Sequence, residues 1–113
     1  MYPSPQTIKS KRDGKRFVTF ASITPEELAN GVSIKTDDLI NGIAHFSANA
    51  GATGSIKCTG TMYDITKDIE GGVIDLSAPT STKQWVAGLS VVNIKSEGAV
   101  SGLTELKVII ERW

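Results

Sequence analysis

The sequence is poor in the residues that carry out chemistry. One cysteine, Cys58, and one histidine, His45, occur among 113 residues. A lone cysteine excludes an internal disulfide, so the fold must hold by packing. A metal site needs three or four donors at ligand spacing, and His45 with Cys58 supplies two. The glycines between them, Gly51 and Gly54, match neither a Walker loop nor a dinucleotide turn. A single histidine leaves little choice of general base, and no GxSxG elbow is present. Long apolar runs are missing too: nothing approaches the roughly 18 residues of a membrane span. The first residues, MYPSPQTIKSKRDGKR, lack the apolar core of a secretion signal. The expectation is therefore a chain that is not an enzyme, holds no metal or cofactor and does not enter a membrane.

Net charge is also absent, since twelve basic residues balance twelve acidic ones. The balance is uneven along the chain. Lys9, Lys11, Arg12, Lys15 and Arg16 face one acid, Asp13, across residues 9–16, a local net of +4. The remainder holds seven basic and eleven acidic residues, a net of −4. Pro3 and Pro5 disfavour helix, and no apolar period follows them, so residues 1–15 read as an extended basic arm. Residues 16–113 read as a single β domain, long enough to bury a core and 40% hydrophobic. The five basic residues are the candidate partner-binding group, for an acidic protein surface, a neighbouring copy or the phosphates of a nucleic acid. The alternative is a solvated tail.

What the chain does have is strand texture. RFVTFAS (16–22) is aromatic and β-branched. TPEELANG (24–31) is one or two helical turns, with Thr24 as cap, Pro25 at the first position and Glu27 closing a capping box. From Val32 the period is two. Asn41-Gly42 predicts a tight hairpin, and residues 49–54 predict the loop of a second hairpin that contains His45 and Cys58. Ile56, Cys58 and Met62 share one face, so Cys58 reads as a small buried hydrophobe. Residues 67–72 and 78–83 read as a turn and a loop. QWVAGLSVVNIKS (84–96) reads as one long strand, apolar on both faces, and residues 96–102 as a turn. In the last strand Leu106, Val108 and Ile110 point one way, leaving Ile109 and Trp113 on the other with Glu105, Lys107 and Glu111. Six or seven such strands predict an antiparallel β-sandwich or barrel with one short helix. The paired acids Glu26-Glu27 and Asp37-Asp38 lack the spacing of a calcium loop.

The mobile basic arm with prolines, the compact body rich in Gly, Ala, Ser and Thr, and the final apolar strand KVIIERW resemble, in style, small accessory structural proteins of bacteriophage virions. Capsid decoration proteins, head-fibre bases and tail subunits are of this kind. The resemblance implies a multi-copy subunit, trimeric or higher, that binds itself and another virion protein and assembles in the host cytoplasm. Ile109 and Trp113 are the candidate subunit contact. Two other readings stay open at this point. One is a carbohydrate- or surface-ligand-binding module using Tyr63 and Trp113. The other is a nucleic-acid-binding β domain using the arm.

Overall fold

The computed structural model describes residues 2–36, 41–62, 65–78, 80–86 and 90–113. In chain order the elements are β1 (Thr7–Asp13), β2 (Arg16–Ile23), α1 (Pro25–Asn30), β3 (Val32–Lys35), β4 (Asn41–Ala48), β5 (Thr53–Met62), β6 (Ile65–Asp75), β7 (Thr80–Val86), β8 (Val91–Ser101) and β9 (Leu106–Arg112). They form a five-stranded sheet, ordered β1-β2-β9-β4-β7, and a four-stranded sheet, ordered β3-β8-β5-β6. One apolar core joins them. Ala21, Ile23, Phe46, Leu106 and Ile110 come from the first sheet, and Ile34, Ile56, Cys58, Val92 and Ile94 from the second. The fold is the expected antiparallel β-sandwich with one short helix. The described residues hold nine strands in place of six or seven.

Local chemistry accounts for several elements directly. Thr24 Oγ1 accepts from the Glu27 amide at 3.2 Å, and the Thr24 amide donates to Glu27 Oε1 at 3.1 Å, completing the capping box. Burial raises the affinity of the Glu27 carboxyl for its proton, but hydrogen bonds from the Thr24 and Gln6 amides and the Thr24 hydroxyl outweigh it, leaving the pKa below its ordinary value. In β9 the alternation is as read from the sequence, with Leu106, Val108 and Ile110 all buried. Cys58 is 3% exposed beside fully buried Ile56. Cys58→Ala is expected to cost about 1 kcal/mol, a small cavity term, and to leave assembly unchanged. Thermal melts of the two proteins check this, and rapid labelling of native Cys58 by a thiol reagent would contradict it.

Partner choice is where the chain departs from its local signals. Asn41 and Gly42 are not a hairpin turn: both lie within β4, where Asn41 pairs with Val86 and Gly42 with Arg112. β4 and β5 are not a hairpin either, because they belong to different sheets and residues 49–52 carry the chain across the core. The turn expected at residues 67–72 lies inside β6. Lys57 pairs with Val73 and Thr59 with Asp68, so the intervening residues form a bulge. Thr80–Lys83, expected in a loop, belong to β7, and β8 runs on to Ser101 through the expected turn. The single strand expected over 84–96 is two strands in opposite sheets. Residues 87–89 lie outside the described residues, as do Asp37, Asp38 and Tyr63. Each difference has one cause: a distant strand offers a longer ladder and more apolar burial than the local turn does.

Residues 7–13 are not a free arm. They pair with β2 from Thr7↔Ser22 to Asp13↔Arg16 and form the edge of the five-stranded sheet. The segment before them is fastened as well. The Tyr2 amide donates to Ser33 Oγ at 3.0 Å, the Ser33 amide donates to the Pro3 carbonyl at 2.9 Å, and the Gln6 amide donates to Glu27 Oε2 at 3.0 Å. The sequence concealed this because an edge strand needs no apolar period; its backbone supplies the ladder.

Candidate interaction surface

The outward face of the five-stranded sheet holds the residues singled out from the sequence. Register sets Lys9, Phe20, Ile109 and His45 in one row across β1, β2, β9 and β4. The next row is Lys11, Val18, Glu111 and Ile43. At one end of this face lies an apolar groove of about 350 Å³ containing Ile8, Phe20 and Ile109, with Lys9, Glu105 and Lys107 at its rim. Phe20 is 38% exposed and Ile8 37%. Phe20, open to water beside Ile109 on this face, is a contact surface in waiting, whereas Ile8 pairs with Ala21 and its side chain lies toward the other face.

Charge frames the groove. Glu111 Oε1 accepts from Arg16 Nη1 at 2.8 Å, and Glu111 Oε2 lies 3.2 Å from His45 Nε2. Lys9 Nζ sits 6.0 Å from the centre of the Phe20 ring. Ser22 donates to Glu105 Oε2 at 2.5 Å, and Lys107 Nζ lies 3.8 Å from Glu105 Oε1. These groups are partly exposed, so each pair contributes at most about 1 kcal/mol to stability. Their greater effect is to orient the rim.

Of the expected contact pair, Ile109 lies in the groove, while Trp113 is 40% exposed beyond Glu111 on the same face. The two share a face without being adjacent. The five basic residues do not form one patch. Lys9 and Lys11 point outward, and Lys15 is exposed in the turn. Arg12 lies 5.3 Å from the Phe17 ring, with its Nε donating to the Gly14 carbonyl, and Arg16 binds Glu111.

Two polar features were missed in the sequence. Arg112 is 3% exposed, lies 5.4 Å from the Phe17 ring and hydrogen-bonds to the buried Thr19 hydroxyl. Its signal was parity, since position 112 falls on the inward face of β9. The second is a ladder on the other sheet: Ser33 donates to Asn93 Oδ1 at 2.6 Å, and Asn93 Nδ2 donates to Thr61 Oγ1 at 3.0 Å and Thr59 Oγ1 at 3.3 Å. A cavity of about 150 Å³ beside it is lined by Tyr2, Lys57 and Lys95. The Tyr2 ring packs against Gly31, where a Cβ would lie 2.8 Å from it, and Lys95 Nζ is 5.7 Å from its centre. The ring is therefore a wedge between helix and sheet. Among the described residues no three acidic, histidine or cysteine side chains are placed to hold a metal.

No protein-family model matches the chain. No curated protein matches it either. Among solved structures it is similar to a protein of Bacillus endospore appendages, which form a family of disulfide-linked pili. The identity is 14%, the TM-score 0.53, and the match covers 100% of this chain and 93% of that one. Carbohydrate-binding modules of family 29 also match, at 11% identity and TM-score 0.49, over 94% of this chain and 76% of the module. The likeness to the appendage protein is one of fold. Cys58, the single cysteine, is buried.

Proposed function

We propose that this protein is a non-enzymatic structural subunit that assembles in many copies, with the outward face of the five-stranded sheet as a contact surface. The observation that carries this reading is the groove containing Ile8, Phe20 and Ile109 with a charged rim. Its occupant is a second copy of the chain. Lys9 at the rim is complementary to a body whose residues outside 9–16 sum to −4. The larger assembly we assign it to is the virion of a bacteriophage, as a capsid decoration or head/tail accessory protein; the style of the sequence supports that assignment. A fold shared over the whole chain with an appendage protein supports assembly in general.

Light scattering across a concentration series tests this. Wild-type protein is expected to gain mass with concentration in the micromolar range. Ile109→Ser with Trp113→Ser is expected to remain folded and to associate at least about 30-fold more weakly, because removing an aromatic anchor typically costs 2 kcal/mol or more. Wild-type protein that stays monomeric at high micromolar concentration would overturn the reading.

A further inference from the structure

The two ends of the sandwich carry opposite charge on open strand edges. β1 ends the five-stranded sheet and β6 ends the four-stranded one. They lie on opposite sides of the molecule. The residues leading into β1 bond to β3, at the far end of the second sheet from β6, while β6 lies beside β7 at the far end of the first.

The outward side chains of β1 include Lys9 and Lys11, both exposed; Ile8, also open to solvent, pairs with Ala21 and lies on the other face. Those of β6 include Thr66, Asp68, Val73 and Asp75, set by their pairing with Thr61, Thr59, Lys57 and Ser55. Val73 is 54% exposed, Ile65 at the start of the strand 61%, and the Asp68 side chain 75%. Asp68 lies 3.4 Å from Lys57 but remains open to water. Asp75 is held ionised by hydrogen bonds from the Ser77 amide and hydroxyl, which lower its pKa. Among the described outward side chains, β1 thus offers two lysines, and β6 offers two aspartates beside exposed Val73. β7, the alternative edge, has no acid in its sequence TSTKQWV.

We infer that β1 of one copy pairs edge to edge with β6 of the next, extending the sheet from molecule to molecule. The inference rests on the self-assembly proposed above and specifies its geometry. Pairing of outward faces sets Lys9 and Lys11 near Asp68 and Asp75, and brings Val73 toward the groove beside Thr7 and Lys9. Charge rejects the two-fold alternatives: β1 against β1 opposes lysines, and β6 against β6 opposes aspartates, both destabilising across adjacent strands. The contact is therefore head-to-tail, and because its two halves lie on opposite sides of the molecule, it propagates into a ring or filament instead of stopping at a dimer. The seven residues of β1 span about 23 Å of ladder. This exposed edge is the kind that isolated proteins normally block.

The test uses two full-length variants, Lys9→Glu with Lys11→Glu and Thr66→Lys with Asp68→Lys. All four positions are exposed, and the substitutions leave the Asp75 turn intact. By sedimentation and light scattering, each variant alone is expected to associate at least about tenfold more weakly than wild type, since like charges then meet across the contact. An equimolar mixture is expected to regain association, because each altered edge finds its complement on the other variant. Raising ionic strength is expected to weaken wild-type association. Single variants that associate as well as wild type would overturn the edge contact while self-assembly stands. A mixture that does not regain association would overturn the head-to-tail pairing. A wild-type chain that never gains mass would overturn both this inference and the reading beneath it.

Discussion

Gly54→Ala is expected to lower stability by about 3 kcal/mol or more, whereas Gly51→Ala, three residues away, is expected to cost about 1 kcal/mol. Both glycines have positive φ, 88° at Gly51 and 108° at Gly54, so either substitution strains the backbone. The difference is space. A Cβ at Gly51 meets nothing within 4 Å. At Gly54 it would lie 2.6 Å from the Ala99 carbonyl oxygen and 3.0 Å from the Val100 Cα, backbone atoms of the β8 bulge held between the Thr53↔Ser101 and Ser55↔Glu97 pairs. Backbone pinned by pairs on both sides of a bulge cannot swing aside as a side chain can, so the strain is relieved only by disturbing the flanking β5–β8 pairs. For a domain of this size, about 3 kcal/mol corresponds to roughly 12 °C in melting temperature. Parallel melts of the two variants check the contrast. Equal losses would mean that positive φ alone sets the cost.

Deleting residues 1–13 is expected to destabilise the protein by about 2 kcal/mol, near 8 °C, and to make it prone to aggregation. The deletion removes the whole β1 ladder and the bonds that tie Tyr2 and Pro3 to Ser33 and Gln6 to Glu27. It also uncovers β2 as a new edge, with Phe20 and Val18 on its outward face. The gain is only a few kcal/mol because ordering each residue of an edge strand costs about as much as its hydrogen bonds return. A truncated protein that melts at the wild-type temperature would show that the segment is docked without contributing to the fold. Its association would then be the informative measurement, since the inferred contact requires β1.

Read as a sequence, the chain determined whatever depends on neighbours along the backbone. The helix follows from Thr24, Pro25 and Glu27 because each interacts within one turn. The burial of Cys58 and the two faces of β9 follow from the two-residue period, which is a property of extended backbone itself.

Only the tertiary structure decided which strands pair, and the contact surface follows from that. Asn41-Gly42 is a strong local turn signal, yet β9 and β7 take both residues into ladders, since pairing across the sheet also buries Ala44 and Phe46. The basic segment has no apolar period because it is an edge, satisfied by backbone on one side and solvent on the other. Ile8, Phe20 and Ile109 are twelve residues or more apart along the chain and become one groove only when β1, β2 and β9 lie side by side. Opposite charges on β1 and β6 become complementary ends only when the two sheets stack with those edges facing away from each other. Strand pairing over long separations is set by the summed burial of a whole sheet, and no local pattern encodes that sum.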